Sequence, residues 1–323
     1  MPTSPKILII RFSSIGDIIL TTPVIRCVHQ QLNAEIHVLT KNAFKGLFEY
    51  NPHVAKIHVL ESMDRRVLKR MDFDHIIDLQ KNWISRWLCF ILGRPYTSFN
   101  KLNIKKWLLV HFKINLLPKK HLVGRYFEAL KPLGINNDDL GCDYYIKEVN
   151  ISENIQEMAK TEYDIIVLGA AHATKRISLQ KCREIIGLQH RNIILLGGKD
   201  VTDMAALLKK ECPMVINRVG KDNLDESAHL IRNARLIYTG DTGMMHLAVA
   251  LQKRVVVLWG NTVPAFGMYP YYGNKQKNLS HSIEHKNLKC RPCSKLGYPS
   301  CPKGHFKCME ELEIKEILDY EQL

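Results

Sequence analysis

Residues 6–26 have the sequence KILIIRFSSIGDIILTTPVIR, in which an unbroken apolar run is followed by small and polar residues and then by a second apolar segment. An unbroken apolar run of this kind is typical of a strand that is buried on both faces of a parallel sheet. Thr22 and Pro23 are typical of a helix start, with threonine as the N-cap and proline at the first helical position. The stretch therefore predicts a strand, a turn and a helix, which is the repeating element of an α/β fold.

The same alternation of strand and helix patterns continues along the chain and predicts two doubly wound domains. The strands expected in the first half are Lys6–Arg11, Glu35–Thr40, Lys56–Leu60 and His75–Leu79. After a polar linker at residues 147–162, the strands expected are Asp164–Leu168, Asn192–Leu196, Met214–Asn217, Leu236–Thr239 and Arg254–Trp259, and the helices are Leu179–Gly187, Thr202–Glu211, Leu224–Asn233 and Gly243–Leu251. We place the domains at residues 1–155 and 156–323 and expect the site in a cleft between them.

The chain of 323 residues is strongly basic, with 46 lysines and arginines against 32 acidic residues and a net charge of +14. This charge favours an anionic partner, such as nucleic acid, a phosphorylated substrate or an acidic membrane surface. The apolar run Ile7–Ile10 is too short for a secretory signal, and the longest uncharged stretch, Val255–Gly273, is interrupted by prolines and glycines. We therefore expect a cytoplasmic protein whose nine cysteines are thiols or metal ligands rather than disulfides.

Residues 101–125 contain no acidic residue and combine basic with aromatic side chains. The basic residues are Lys101, Lys105, Lys106, Lys113, Lys119, Lys120 and Arg125, and Trp107 and Phe112 lie between them. One interpretation is a solvated basic face over a core helix. The other is a cradle for an anionic, lipid-linked substrate, since anionic headgroups attract lysine and arginine.

A candidate anion site follows the strand that is predicted to end at Thr239. Asp241 can cap the next helix, whose first turn would contain Thr242, Gly243, Met244 and Met245. The free N–H groups of such a turn and the helix dipole attract a phosphate, and Gly243 lets it approach the backbone. Two alternatives stay open: Asp241 is only an N-cap, and His246 is only a core residue.

Three other segments of the second half offer groups to a nucleotide. Lys175 and Arg176 follow a predicted strand, where they would meet the same phosphates, although such a pair is often only a surface feature. Gly197 and Gly198 also follow a strand and would leave bare backbone for a flat base. Asp225 opens a helix, where its carboxylate would accept ribose hydroxyls or only complement the helix dipole.

Asp17 is the candidate acid of the first domain. Ser13 and Ser14 bend the chain after the first strand and Gly16 permits a positive φ, so that the carboxylate would stand at the carboxyl edge of the first sheet. There it would act as a general base on an acceptor hydroxyl, or only cap the following turn. The sequence has no G-x-G-x-x-G after the first strand and no G-x-x-x-x-G-K-[ST], which argues against a dinucleotide site or a P-loop.

The C-terminal segment contains a cysteine array at Cys290, Cys293, Cys301 and Cys308, with His305 nearby. Four soft ligands suit a structural zinc ion in tetrahedral geometry. The second pair lacks the C-x2-C spacing, so free thiols are the equal alternative. We expect this cysteine-rich tail, residues 289–309, to be followed by a final helix that packs on the first domain.

Several of these segments, taken in order, resemble glycosyltransferase family nine, the ADP-heptose:lipopolysaccharide heptosyltransferases. They are RFSSIGDIILTTPVIR, FDHIIDLQ, HLVGRYFEALKPLGI, HATKR, TGDTGMMHLAVAL, LWGNTVP and the cysteine tail. The resemblance implies a GT-B fold of two facing Rossmann-like domains, with the acceptor on the first and the nucleotide sugar on the second. It also implies transfer with inversion and without a metal ion. Where family members often have glycine after DLQ and tryptophan after TKR, this chain has Lys81 and Ile177.

By motif match, the resemblance makes Asp17 the general base and assigns the diphosphate to Lys175 and the Gly243–Met245 amides. The other donor contacts that it implies are Asp225 at the ribose and Asp241 and His246 at the sugar or phosphate side. The acceptor would be a polyanionic lipid A that bears acidic sugars. The residues that we assign to it are Ser13, Ser14, Gly16, Lys105, Lys106, Lys120 and Arg125.

The expected function is the transfer of a heptose from an ADP-sugar to an anionic, lipid-linked saccharide of the lipopolysaccharide core. The protein would work as a peripheral protein at the cytoplasmic face of the inner membrane, with no cofactor in the chemistry. No nucleic-acid partner is expected, because the sequence shows no recognised binding motif for one. Three alternatives stay open: a related glycosyltransferase that uses another nucleotide sugar, a basic nucleic-acid-binding protein, and a non-catalytic relative that binds lipopolysaccharide.

Overall fold

The computed structural model describes residues 4–148, 151–274, 279–314 and 320. These residues form two compact units. Unit 1 contains the described residues up to Leu102, the segment Lys120–Tyr145, and Gly273 with Asn274. Unit 2 contains Asn103–Lys119 and the other described residues from Ile146 onward.

Unit 1 has a five-stranded parallel sheet in its described residues. The strands are β1 (Lys6–Ile10), β2 (Glu35–Thr40), β3 (Lys56–Val59), β4 (His75–Asp78) and β5 (Tyr96–Ser98), in the spatial order β3-β2-β1-β4-β5. The helices are α1 (Ile15–Ile19), α2 (Thr22–Leu32), α3 (Arg65–Arg70), α4 (Trp83–Leu92) and α6 (Leu122–Leu130), while α5 (Asn103–Phe112) belongs to unit 2. The four predicted strands are confirmed to within one residue. The short edge strand β5 was not expected, because its three residues form no apolar run.

The core of unit 1 explains the apolar run of the first strand. Leu8 and Ile10 belong to a core cluster that also contains Leu88 and Leu92 of α4. Because side chains alternate along a strand, Ile7 and Ile9, which are also buried, point to the other face. β1 is therefore buried on both faces, as its sequence predicts.

The helix α2 begins one residue earlier than predicted. Its N-cap is Thr21, Thr22 is already helical, and Pro23 follows in the first turn. The Thr21 and Thr22 hydroxyls donate to the carbonyls of Ile18 and Ile19, at 2.6 and 2.8 Å. Both hydroxyls therefore satisfy carbonyl groups at the end of α1, and the prediction that Thr22 is the N-cap is wrong.

Unit 2 has a six-stranded parallel sheet in its described residues. The strands are β6 (Tyr163–Val167), β7 (Asn192–Leu196), β8 (Val215–Asn217), β9 (Ile237–Thr239), β10 (Val255–Trp259) and β11 (Ser280–Glu284), in the spatial order β11-β10-β9-β6-β7-β8. Besides α5, the helices are α7 (Glu153–Met158), α8 (Leu179–Leu188), α9 (Thr202–Glu211), α10 (Leu224–Asn233), α11 (Gly243–Ala250) and α12 (Lys307–Glu310). The predicted strands and helices are confirmed to within one residue. The edge strand β11 was missed because most of its residues, SHSIE, are polar.

The strand orders locate a switch point in each sheet. In unit 1 the chain runs from β1 outward to β3 and returns to β4, and in unit 2 it runs from β6 outward to β8 and returns to β9. Ligands of open parallel sheets bind outside the carboxyl ends of the strands at such a point. The loops that follow β1, β4, β6 and β9 are therefore where the sites are to be sought.

The division of the chain into units and its C-terminal end bear on two expectations from the sequence. Residues 103–119 cluster with unit 2, and the domain boundary at 155/156 stays a prediction. The predicted final helix falls largely on residues 315–319 and 321–323, which lie outside the described residues. None of the helices that the structure describes combines the length and the apolar character that a membrane span requires.

Candidate active site

In unit 2, the loop after β9 and the first turn of α11 have the geometry of an anion-binding site. Thr242 is the N-cap, and its Oγ1 accepts from the Met245 N–H at 3.3 Å. The prediction that Asp241 caps the helix is therefore wrong, because the next residue takes that role. The first N–H groups of a helix have no acceptor within the helix and lie at the positive end of its dipole. The turn at Gly243–Met245 can thus receive a phosphate.

Asp241 instead forms an ion pair with the Lys175 side chain. Its Oδ2 lies 2.7 Å from Nζ of Lys175 and accepts from the Thr262 hydroxyl at 2.8 Å. The structure thus brings the loop after β6, which carries Lys175, beside the loop after β9. The carboxylate holds the ammonium group close to the first turn of α11, where a second positive charge strengthens an anion site.

Close backbone packing fixes the position of Lys175. A Cβ at Gly240 would lie 2.0 Å from the Lys175 carbonyl oxygen, and one at Gly260 would lie 2.6 Å from that of Thr174. The two glycines at the ends of β9 and β10 therefore let the Ala173–Lys175 turn lie directly against the sheet edge. This packing role of Gly240 was not predicted from the sequence.

The glycines after β7 have a similar packing reason. A Cβ at Gly197 would meet Val201 Cγ2 at 2.7 Å and Gly169 N at 3.1 Å, and one at Gly198 would meet Asp200 Oδ1 at 2.6 Å. Arg176 is ion-paired with Asp200. A cavity of about 370 Å³ lies here, and its lining includes Arg176, Asp200 and Phe306. Whether Gly197 and Gly198 line a base stays a prediction.

The remaining donor candidates lie on α10 and α11. Asn223 caps α10 through its Oδ1 and the Glu226 N–H at 2.9 Å, and Asp225 follows in the first turn. There the Asp225 carboxylate complements the helix dipole and accepts from the Lys147 N–H at 3.4 Å. His246 is buried inside α11. A contact of either residue with a ligand stays a prediction.

In unit 1, Asp17 lies in the first turn of α1, directly after β1. Its Oδ2 accepts from the Ser14 hydroxyl at 3.0 Å, and its Oδ1 lies 2.7 Å from Nη2 of Arg11. Gly16 lies inside α1 and is not among the residues with a positive φ. Gly16 thus does not use the positive φ that glycine permits, and the extended residue Ser14 makes the turn into α1.

Arg11 is the site residue that the sequence reasoning missed. Its buried guanidinium donates to the carbonyls of Leu79 at 2.6 Å and Ser13 at 2.8 Å, and to the Tyr126 hydroxyl at 3.3 Å. Burial raises the pKa of Tyr126 to about 12, so the phenol stays protonated. A charged residue directly after a buried apolar strand was the available signal, because such a charge needs partners.

The loop after β4 contains Lys81, the residue that stands where members of the resembled family often have glycine. The buried Asp78 accepts N–H bonds from Gln80 at 3.0 Å and from Lys81 at 2.7 Å. Lys81 has φ +47°, a conformation that favours glycine, and its Nζ donates to the Phe99 carbonyl at 2.7 Å. The other departure, Ile177, lies in the core of unit 2.

The residues predicted to bind an acceptor are divided between the two units. Lys120 is exposed and ion-paired with Glu128 in unit 1, and Arg125 of the same unit is buried in α6. Lys105 and Lys106 lie on α5 in unit 2. Burial lowers the pKa of Arg125 and removes its guanidinium from the surface, so this residue does not fit a surface cradle.

The structure does not show the predicted zinc site. Among the described residues, no group of three or more His, Cys, Asp or Glu side chains is placed to hold a metal ion. Cys308 is buried on α12, and burial raises its pKa to about 12. Cys290, Cys293 and Cys301 are half-buried free thiols, and Cys290 Sγ lies 4.0 Å from His305 Nε2. Zinc binding and free thiols therefore both stay predictions for these four cysteines.

Comparison with known proteins identifies the same family that the sequence motifs resemble. The sequence profile of glycosyltransferase family 9 (heptosyltransferase) matches residues 64–298. Lipopolysaccharide heptosyltransferase 1 of Campylobacter coli is 24% identical over 350 aligned residues, which cover 97% of each chain.

Two solved structures have the same fold. A glycosyl transferase family 9 protein from Veillonella parvula superimposes with a TM-score of 0.77 at 18% identity, covering 99% of this chain and 96% of the other. The Escherichia coli heptosyltransferase WaaC with ADP-2-deoxy-2-fluoro heptose superimposes with a TM-score of 0.64 at 21% identity, covering 86% and 92%. Both likenesses extend over most of each chain.

Proposed function

Because this chain belongs to glycosyltransferase family 9, we propose that it transfers a heptose from ADP-heptose to the lipopolysaccharide core. The Campylobacter coli relative is a lipopolysaccharide heptosyltransferase, and the E. coli structure holds an ADP-heptose analogue. The observation that carries the proposal is the Lys175–Asp241 pair beside the first turn of α11. It provides a cation and helix N–H groups at the switch point of a parallel sheet, which suits a sugar diphosphate.

The second unit would hold the donor. The N–H groups of Gly243–Met245 and the Lys175 ammonium would bind the pyrophosphate. When the bond from the anomeric carbon to the phosphate oxygen breaks, negative charge grows on that oxygen. Fixed dipoles and a held cation act most strongly on this charge in the transition state, so they accelerate the reaction rather than only binding the donor.

Other contacts to the donor follow from the loops around this turn. Asp241 and His246 would line the sugar or phosphate side. Asp225 would accept the ribose hydroxyls, and the cavity beside Arg176, with Gly197 and Gly198 in the neighbouring loop, would take the base.

The first unit would supply the base. Asp17 would accept the proton of the acceptor hydroxyl while that oxygen attacks the anomeric carbon from the side opposite the leaving ADP, which inverts the configuration. Arg11 and Ser14 bind the carboxylate oxygens and fix their direction. Lys175 and the α11 dipole would stabilise the negative charge on the leaving group, and the proposed chemistry uses no metal ion or cofactor.

The acceptor would be an anionic, lipid-linked saccharide, such as lipid A that carries acidic sugars. The exposed lysines of the 101–125 segment, Lys105 and Lys120 among them, would attract it. Ser13 and Ser14 would border the hydroxyl that reacts. An acceptor of this kind implies work at the cytoplasmic face of the inner membrane, as a peripheral protein.

The test is a donor panel followed by a transfer assay. Thermal unfolding is measured with ADP, UDP and GDP, and transfer from ADP-heptose to heptose-free lipopolysaccharide is followed by mass spectrometry. We expect stabilisation by ADP and a product that is heavier by one heptose. Selective stabilisation by another nucleoside diphosphate would indicate a different nucleotide sugar. Tight, salt-sensitive binding of DNA or RNA without affinity for any nucleotide sugar would contradict the proposal.

A further inference from the structure

The helix α4 has two apolar faces. Leu88, Cys89 and Leu92 pack into the core of unit 1. On the outer side, Trp83 and Phe90 expose 78% and 83% of their surfaces, and Trp87 exposes 40%. The outer residues are spaced i, i+4 and i+7, so they form one continuous stripe along the helix.

The stripe is held in place rather than being a frayed end. Asn82 caps α4 through its Oδ1, which accepts from the Ser85 N–H at 2.8 Å, and the Ser85 hydroxyl donates to the buried Asp78 at 2.8 Å. The outer side of a surface helix is normally polar, and contiguous exposed apolar patches usually mark an interaction surface. The exposed aromatic side chains of α4 therefore stand on an ordered helix.

Basic side chains lie on α4 itself and on α3, which contacts α4. Arg65 of α3 lies over the Trp87 ring, 4.5 Å from its centroid. Arg66, Lys69 and Arg70 of α3 are exposed, and Arg86 is exposed on α4 itself. The acidic residues of the segments that flank α3 are Glu61, Asp64, which caps α3, Asp72, which is paired with Arg94, and Asp74. The surface therefore combines aromatic rings with an excess of positive charge.

We propose that this α3–α4 surface, made of Trp83, Trp87 and Phe90 with the basic residues of α3 and Arg86, binds an anionic lipid bilayer. Tryptophan rings prefer the boundary between headgroups and acyl chains, and arginine and lysine are attracted to anionic headgroups. An apolar stripe flanked by basic residues is the pattern of a helix that lies in the plane of a membrane surface. The inference rests on the proposed function, which requires a membrane-bound acceptor.

The aromatic residues of α5 are arranged differently. The Trp107 ring lies 4.8 Å from that of His111 and 5.3 Å from that of Phe112. Trp107 and His111 line a cavity of about 510 Å³ together with Tyr298. A concave site suits part of a single ligand molecule, whereas the projecting stripe on α4 suits a bilayer.

The experiment measures co-sedimentation with vesicles. The variant Trp83→Ser/Phe90→Ser is compared with Ile104→Ser, which changes a side chain of α5 that is 77% exposed. On vesicles of phosphatidylglycerol and phosphatidylethanolamine, we expect at least roughly tenfold weaker binding for the α4 variant and a change of less than about twofold for Ile104→Ser. Arg66→Gln/Lys69→Gln/Arg70→Gln should lose the preference for these vesicles over phosphatidylcholine vesicles.

Three results would overturn the proposal: wild-type binding by the α4 variant, loss of binding only in Ile104→Ser, or an oligomer that dissociates in the α4 variant while vesicle binding is retained. Circular dichroism checks that each variant is folded. Asp17→Asn separates this proposal from the proposed function, because it should bind vesicles like the wild type. The α4 variant should in turn keep its kcat on an acceptor freed of its acyl chains.

Discussion

Each unit contains an ion pair between a basic side chain and an aspartate, but a different partner is the less exposed one in each unit. Arg11–Asp17 and Lys175–Asp241 each have an N–O distance of 2.7 Å at the carboxyl edge of a parallel sheet. In unit 1 the arginine side chain is only 9% exposed and tied to backbone carbonyls, while the Asp17 side chain is 24% exposed. In unit 2 the aspartate is the more buried partner, at 11%, and the lysine is 18% exposed.

The fixed partner decides which charge is presented to a ligand. A buried arginine anchored to carbonyls leaves a carboxylate available in unit 1. In unit 2 the aspartate is the less exposed partner and is anchored to the Thr262 hydroxyl, which leaves an ammonium group available. Under the proposed function, such a contact would provide a base in one unit and an anion clamp in the other, which is the division of roles that an inverting transferase needs.

The largest expected effect comes from Asp17→Asn. The amide keeps the shape but cannot accept the acceptor proton, so we expect kcat to fall by roughly 10²–10⁴-fold. ADP affinity, measured by calorimetry, should stay within about twofold because the groups proposed to bind the donor lie in unit 2. Retained turnover would remove Asp17 from the mechanism. Ser14→Ala is the control, since it removes one hydrogen bond to the carboxylate and leaves the base in place.

The next effect is expected from Lys175→Met. The variant loses a cation at the pyrophosphate and leaves Asp241 without its ion-pair partner near an anionic ligand, so we expect the Kd for ADP to rise by about 100-fold. The control is Lys209→Met on α9, where the lysine is exposed and contacts the Pro213 carbonyl. Equal ADP affinity in the two variants would contradict the clamp.

A smaller effect is expected from Gly240→Ala, which tests how the clamp is positioned. The new Cβ would overlap the Lys175 carbonyl oxygen, so backbone must move, at a cost of about 2 kcal/mol in the free energy of unfolding. ADP binding should weaken as well, because Lys175 moves with its turn. Gly187→Ala is the matched control: no atom lies within 4 Å of its Cβ, and alanine in α8 should stabilise by about 0.5–1 kcal/mol. Denaturant titration and calorimetry measure both quantities.

The sequence predicted the sheets well because a buried parallel strand is a short, continuous run of apolar residues. It also predicted the loops that carry Asp17, Lys175 and Asp241, because carboxyl ends of parallel strands share one edge. It could not predict the pairing of Lys175 with Asp241, since these residues are far apart in the chain and each could pair elsewhere. The cap at Thr242 and the helical conformation of Gly16 were missed for a local reason. Residues that are adjacent or close in the chain can each serve as the cap or the turn before a helix, and the sequence does not say which one does.

The apolar helix α4 shows a further limit. Its sequence WISRWLCFIL is rich in apolar residues, so the pattern does not say which face is packed and which is exposed. Only the position of the core identifies Trp83 and Phe90 as exposed. The charge of the 101–125 segment was visible in the sequence, whereas the burial of Arg125 depends on how α6 packs.

The last prediction distinguishes the units by their response to acid. His37 on β2 and His58 on β3 are buried, with Nδ1 and Nε2 2.9 Å apart. Burial, helped by the charges of His37 and Lys56, lowers the pKa of His58 to about 4. The unfolded chain keeps a value near 6.5, so below that pH it binds a proton that the folded chain does not, and stability falls as the pH falls. At about pH 5 the loss should be roughly 2 kcal/mol.

Hydrogen exchange of the β2–β3 peptides and of the β9–β10 peptides, compared between about pH 7 and pH 5, would measure this difference after correction for intrinsic exchange rates. We expect the protection of β2 and β3 to fall more than that of β9 and β10. His58→Gln keeps a polar side chain without a group that titrates in this range, so it should flatten the dependence in unit 1. An equal loss of protection in both units, unchanged in His58→Gln, would show that acid acts on groups other than this pair.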